Sequence, residues 1–193
     1  MIHNPNKPTR QEKLAYLDYA LAYVQKWDLA IDAGAHIGLW TKGMAKKFAC
    51  VLAFEPMEDN CKTWHENMRE HKNATLYQKA LGHKRGHVLM AGEGHSKHFA
   101  MEDPVGTVEM ITIDSLKLDA LDFLKVDCEG ADCLVLMGGE NTIRKFRPVI
   151  IVESKAKFEA RYGLSAGAPM EYLKKLGARQ VEHHWHDYIF SFN

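Results

Sequence analysis

Residues 29–38 read Leu29–Ala30–Ile31–Asp32–Ala33–Gly34–Ala35–His36–Ile37–Gly38. A short apolar run ends in an acid, turns through Gly34, and reaches Gly38 at the head of an amphipathic segment. A strand-to-helix turn of this kind lets the backbone lie close against a bound nucleotide. Downstream, the apolar run Val51–Leu52–Ala53–Phe54 ends in Glu55, immediately before Pro56. In a βαβ unit, an acid at the tip of the second strand accepts hydrogen bonds from both hydroxyls of a ribose. Together the two features point to an adenosine-containing ligand.

The turn also discriminates among such ligands. A dinucleotide-binding turn reads G-x-G-x-x-G, because a pyrophosphate must reach the helix N-terminus. Here the pattern is Asp32-x-Gly34-x-x-x-Gly38, with Ala and His where the tight glycines would stand. An acid at the strand end repels a pyrophosphate and suits a cation, such as the amino group of a methionine moiety. S-adenosylmethionine carries that amine, a ribose and a sulfonium, and no phosphate. The spacing therefore favours it over NAD or FAD. Asp32, Ala33, Gly34, His36 and Gly38 are the candidate cofactor-binding residues of the first turn, and Glu55 and Pro56 those of the second strand. A βα turn without a ligand is the competing reading.

Size and charge set bounds on the rest. At 193 residues the chain suits one domain, expected over 1–193. Lys and Arg total 25, and so do Asp and Glu. No global field thus attracts nucleic acid or an anionic membrane. Eleven histidines make the charge responsive to mild acid. Residues 1–8 hold no apolar signal-peptide core, and no apolar run reaches the ~18 residues of a membrane span. The expectation is a soluble, cytoplasmic protein. Cys50, Cys61, Cys128 and Cys133 show neither CxxC nor zinc-finger spacing, so they read as small buried hydrophobes.

Strand and helix signals alternate along the chain. Thr9 with Glu12 forms a capping-box pattern for a helix over about 9–27, its apolar face formed by Leu14, Leu17, Leu21 and Val24. Strands are expected at 29–33, 50–54, 74–78, 121–126 and 148–153, with helices at about 39–47, 57–71, 132–137, 140–145 and 169–176. Residues 178–182 and 188–192 read as a closing pair of strands, with Gly177 as the preceding helix C-cap. Between 82 and 113 the helical period disappears, and the segment reads as a hairpin or irregular excursion. This alternation implies a mostly parallel α/β sheet covered on both faces, with an antiparallel edge from the final hairpin. In such sheets ligands gather outside the carboxyl ends of the strands. Asp32, Glu55, Asp127 and Glu153 all stand there.

A string of segments, in order, resembles the FkbM-type family of class I S-adenosylmethionine-dependent methyltransferases. It comprises 32–38, Ala53–Phe54–Glu55–Pro56, Asn67, Ala80–Leu81–Gly82, Thr112–Ile113–Asp114–Ser115–Leu116, 124–132, Leu136–Met137–Gly138 and 148–153. The likeness covers 29–153, and the N-terminal helix and the final forty residues add little to it. It implies a Rossmann-like, seven-stranded sheet of order 3-2-1-4-5-7-6 with strand 7 antiparallel. It also implies an O-methyltransferase acting on a hydroxyl of a sugar, glycolipid or small metabolite. Asp132 departs from the family's usual Glu, and Cys128 from a β-branched residue.

Within that frame Ala80 and Leu81 border the adenine edge, through backbone groups alone at position 80. Asp127 and Glu129, two apart after a buried strand, are the candidate catalytic carboxylates, because an alcohol must lose its proton on methyl transfer. Asp127 also closes the cofactor site, and Glu153 is a third catalytic candidate. The bland alternative makes Glu129 a helix cap and Asp127 only a pocket wall. Such acids can also hold a divalent cation, though no spacing establishes a metal. His83, His87, His95 and His98 accompany a Gly92–Ser96 loop that reads as solvated, with a lid over the acceptor as the alternative. His183–His184–Trp185–His186 lacks zinc-finger partners and reads as an exposed turn. The expected partner is a small-molecule or saccharide acceptor, not nucleic acid. The competing functions are an NAD-dependent oxidoreductase, disfavoured by the missing glycine, and a catalytically silent cofactor-binding module. Oligomeric state has no signature in the sequence.

Overall fold

A computed structural model describes residues 9–91, 98–102 and 106–192. Thr9 opens helix α1 (Arg10–Leu21) through the expected capping box, its hydroxyl accepting from Glu12 N–H while the Glu12 carboxylate takes the Thr9 N–H. The helix stops six residues short of the expected end. Its last turn tightens into i→i−3 bonds at Ala22, Tyr23 and Val24, freeing the chain to begin β1 (Leu29–Ala33). Then come α2 (Leu39–Met44), β2 (Cys50–Phe54), α3 (Glu58–Met68) and β3 (Ala74–Tyr77).

The stretch expected as a hairpin or irregular excursion forms antiparallel pairs within a second, four-stranded sheet. Its strands are β4 (Ala80–Leu81), β5 (Gly86–Ala91), β6 (His98–Glu102) and β7 (Val108–Ile111), in the order β4-β7-β5-β6. A two-residue strand such as β4 carries too little pattern to read. It exists because it pairs in parallel with Met110 and Ile111 of β7. The Gly92–Ser96 loop, with His95, lies outside the described residues.

Alternation resumes with β8 (Phe123–Val126), α4 (Asp132–Met137), α5 (Glu140–Phe146) and β9 (Val149–Glu153). A short α6 (Ala156–Glu159), not expected from the sequence, precedes α7 (Ala168–Lys175), β10 (Arg179–His184) and β11 (Asp187–Ser191). The main sheet runs β10-β11-β9-β8-β1-β2-β3. Numbered within that sheet alone, this is 3-2-1-4-5-7-6. The last strand lies antiparallel to both neighbours and the others pair in parallel. The topology and the antiparallel edge are those expected.

Successive residues of each strand face opposite sides. Ala30, Val51, Ala53, Phe123, Val149, Ile151 and Ile189 meet α1, α2 and α3 through Leu17, Met44 and Trp64. Ile31, Leu124, Val126, Ile150, Val152 and Phe190 meet α4, α5 and α7 through Leu136, Ile143 and Leu173. Each such large side chain contributes about 1.5–3 kcal/mol on full burial. By the same parity Asp32, Lys125, Glu153 and Asp187 fall on the α1–α3 side. Among the described residues no helix is long and apolar enough to cross a membrane.

Candidate active site

The first turn is built by backbone bonds and close approach. Gly34 and Ala35 N–H both donate to Phe54 O, at 2.9 and 3.0 Å, tying the turn to the end of β2. Gly34 adopts φ +77°, and a Cβ there would sit 2.0 Å from the carbonyl oxygen of Asp127. Only glycine lets β8 end against this turn. Gly38, at φ +89°, lies so close to Trp64 that a Cβ would come within 2.9 Å of the indole. Ala33 is buried, and His36, left-handed at φ +50°, donates its N–H to Glu55 Oε2 at 2.9 Å.

Asp32 is completely buried. Its Oδ2 accepts from the Thr41 hydroxyl at 2.6 Å, and Thr41 accepts in turn from the Trp64 indole at 3.1 Å. Its Oδ1 lies 3.2 Å from Lys125 Nζ. The strand-end position predicts a ligand cation beside this acid, and in the structure the cation beside it is Lys125. The same ammonium donates to Gly34 O at 2.8 Å and stands 3.9 Å from Asp127 Oδ2. Burial pulls the lysine's pKa down, but Asp32 and Asp127 outweigh it and hold the group charged. Lys125 thus joins both strand ends to the glycine turn. A lysine inside a run of apolar residues was the one available signal for this.

Glu55 is also buried, at the start of the link from β2 to α3. Besides His36, its Oε1 accepts from Met57 N–H and Asn60 Nδ2, each at 3.0 Å. Pro56 follows, partly exposed. Asn67 donates to Ile37 O at 2.8 Å, pinning α3 to the turn. Tyr77, exposed at the end of β3, stacks on Phe54 with ring centroids 5.1 Å apart. Ala80 and Leu81 are buried in the first strand of the small sheet.

After β8 the chain makes a tight turn. Glu129 and Gly130 both have positive φ, at +53° and +101°, and Ala131 N–H returns to Cys128 O at 3.2 Å, the pattern of a type I′ turn. Asp132 holds it from behind, accepting from Cys128 N–H at 2.8 Å and Gly130 N–H at 2.9 Å. Burial and the charge of Asp127 raise its pKa to about 7 despite those donors. Asp127 goes the other way. Burial would raise it, yet Lys125, with Lys13, Lys155 and His36, holds the carboxyl below its usual range. Glu129 is partly exposed, and the N-cap position of α4 is Ala131, two residues further on.

Glu153 ends β9 nearby. Its Oε1 meets Lys155 Nζ at 2.5 Å, and its Oε2 is buried with no hydrogen-bond partner among the described residues. Burial, then the charge of Asp127, pushes its pKa well above the carboxylate range, with Lys155 pulling against them. Asp187 stands opposite Glu153 in the β9–β11 register. Burial and Asp127 raise its pKa to about 6. Because β11 runs antiparallel, its first residue reaches the edge where the parallel strands end, and so strand-end reasoning missed it. Lys155 was missed as well, since it lies in the loop after β9. At this edge Asp127 is thus shifted toward its ionised form and Glu153 toward its protonated one. No group of three or more His, Cys, Asp or Glu among the described residues has the arrangement to hold a metal ion.

Comparison with known proteins adds the family. A search of curated protein sequences finds no match. Among solved structures, the chain is similar to methyltransferase FkbM from Methylobacillus flagellatus KT (17% identity, TM-score 0.61), covering 90% of this chain and 47% of that one. The chain thus spans about half the length of that relative. It is also similar to SMU.1697c, a methyltransferase of Streptococcus mutans solved with SAH (13% identity, TM-score 0.59), covering 98% of this chain and 97% of that one. An rRNA methylase from Streptococcus thermophilus matches at 13% identity and TM-score 0.56, covering 98% and 96%. These likenesses speak to the fold. The family model of the methyltransferase FkbM domain matches residues 32–180, from the first turn to the penultimate strand, and the chain belongs to that family.

Proposed function

We propose that the chain transfers the methyl group of S-adenosylmethionine to a hydroxyl of a sugar, glycolipid or other small metabolite. One observation carries the reading: Glu55 and Asp127 flank a single glycine turn, with Asp127 occupying the space of a side chain at Gly34. That arrangement supports reading Glu55 as the ribose-binding acid and Asp127 as the reactive carboxylate on the two sides of one ligand position. The SAH complex of the Streptococcus mutans neighbour is consistent with it.

When bound, the cofactor supplies an electrophilic methyl on a sulfonium. The chain's residues do the rest. A carboxylate has about four acceptor positions, and Glu55 has three donors already, so a ribose hydroxyl takes the remaining position or displaces His36 N–H. Asp32 acts from beneath, fixing the turn through Lys125 and Thr41. Ala33, Gly34, His36, Gly38 and Pro56 shape the methionine and ribose ends, and Ala80 and Leu81 the adenine side. At the acceptor, Asp127, Glu129 and Glu153 receive and orient the hydroxyl. Asp127 or Glu129 would take its proton as the oxygen gains the methyl group, leaving the demethylated cofactor as the second product. Balanced charge, with 25 basic and 25 acidic residues, supports a small acceptor rather than a polyanion.

The test pairs titration calorimetry with isotope tracing. S-adenosylmethionine and its demethylated product should bind, and NAD should not. Labelled methyl groups should enter the metabolite fraction of a cell extract. Absence of binding sinks the reading, and label confined to RNA overturns the acceptor class.

A further inference from the structure

The turn between β10 and β11 is a two-residue loop, Trp185–His186, and Trp185 occupies its first position at φ +59°. His186 does not share the positive φ. Two-residue hairpins with only the first loop residue at positive φ favour glycine there. A bulky aromatic side chain in that conformation is strained. Burial does not explain the choice, because Trp185 is 40% exposed. A large residue held in a costly conformation and left open to solvent is the mark of a binding role.

Its position says what is bound. β10 runs parallel to the core strands, so its end reaches the edge that carries the acids. The registers place His184 opposite Asp187, and Asp187 opposite Glu153. These three form one row across β10, β11 and β9, on the α1–α3 side of the sheet. Ser154 N–H donates to His186 O at 2.8 Å, fastening the hairpin to the residue after Glu153. The rings continue the row: Tyr16 to His184 at 5.5 Å, and His184 to Trp185 at 6.1 Å, edge on. A part-exposed indole thus stands beside His184, at the end of a line that continues into the buried Asp187 and Glu153. A pyranose ring presents the complement, one face of C–H bonds and a rim of hydroxyls.

We infer that Trp185 is the acceptor-stacking, specificity-determining residue of the site, taking the apolar face of a sugar ring while His184 beside it meets a hydroxyl. The inference rests on the proposed methyl transfer to a hydroxyl. Trp185 touches the acceptor's ring and takes no part in the proton transfer.

The test follows the indole N–H signals of the isotope-labelled chain, which has four tryptophans. Trp185→Phe assigns the signal of interest. SAH is added first, followed by a panel of methyl hexopyranosides, and then by simple phenols. At least one pyranoside should move the Trp185 signal and leave the buried Trp40 and Trp64 in place. Trp185→Gly should weaken that pyranoside about tenfold, a loss of about 1.4 kcal/mol, and leave SAH affinity unchanged. Trp185→Phe should retain most of the binding. Because glycine relieves the left-handed strain, Trp185→Gly should also raise Tm by about 2–4 °C. A residue kept for stability alone would lower it. If SAH binds and no pyranoside moves Trp185, or if phenols alone do, the inference falls and the methyltransferase reading stands. If SAH itself fails to bind, both fall.

Discussion

Lys125→Met tests whether the site hangs on one buried cation. The side chain is 1% exposed, and its ammonium meets Asp32 at 3.2 Å and Gly34 O at 2.8 Å. Methionine fills a similar volume and removes the charge, leaving the carboxylate of the wholly buried Asp32 with Thr41 as its remaining polar partner. Breaking a buried pair from one side costs about 3–5 kcal/mol. A folded domain has a margin of about 5–15 kcal/mol, so the variant should fold but with much of that margin gone. At about 2–4 °C per kcal/mol for a chain of this size, Tm should drop by roughly 6–20 °C. Asp32→Asn should be costly too. The double variant carries no unpaired buried charge, and should recover about 1–3 kcal/mol relative to the sum of the single changes. Urea denaturation of all four proteins at pH 7 gives the cycle. A Lys125→Met variant within about 1 kcal/mol of wild type, or a cycle that closes additively, refutes the view that this pair holds the turn.

Gly34→Ala should prevent the close approach of β8, since its Cβ would fall 2.0 Å from a backbone oxygen at φ +77°. We expect a loss of more than about 2 kcal/mol of stability, read by denaturation, with S-adenosylmethionine affinity falling alongside. Glu55→Ala should weaken that affinity at least about tenfold, about 1.4 kcal/mol, and calorimetry showing unchanged affinity removes Glu55 from the ribose role. Asp127→Asn should lower turnover more than cofactor affinity once an acceptor is known, and a wild-type rate would reduce Asp127 to a wall of the site. The pH dependence of stability offers a fourth check. Asp187 is raised in the folded state to about 6, so the fold binds a proton more tightly than the unfolded chain. Its contribution is complete below the unfolded value of about 4 and is lost as pH rises through 6. Asp187→Asn should flatten the unfolding free energy between pH 4 and 6, and parallel curves for the two proteins would contradict the burial argument.

The strand ends were legible because each is an apolar run closed by an acid, a pattern that needs no tertiary information. Asp32, Glu55, Asp127 and Glu153 were all found that way. What these acids face was not legible. Asp32 reads as a ligand-facing group until the parity of β1 and β8 shows that Lys125 shares its side of the sheet. Asp187 falls just outside the expected strand 188–192, and the antiparallel register brings it level with Glu153. The small sheet was legible only as a hairpin or irregular excursion, because β4 has two residues and the segment lacks a sustained period. Helix α1 was overextended because Val24 continues the apolar spacing past the point where the backbone tightens. In each case local pattern located the element, and contact between distant segments decided its role.

The antiparallel last strand does more than close the sheet. A parallel strand in that place would bring its carboxyl end to the edge and carry its first residue to the opposite one. Running backwards, β11 delivers Asp187 to the edge, and the hairpin before it delivers His184 and Trp185 as well. The acids there cannot all ionise at low cost, since burial and mutual repulsion raise Glu153, Asp187 and Asp132 together. Lys125 resolves the conflict in favour of Asp127, which it holds ionised while its neighbours keep their protons more tightly. One buried lysine therefore touches both the glycine turn and the carboxyls that end the neighbouring strands. The two halves of the site are coupled through it, and a change at Lys125 should be felt on both sides of Gly34.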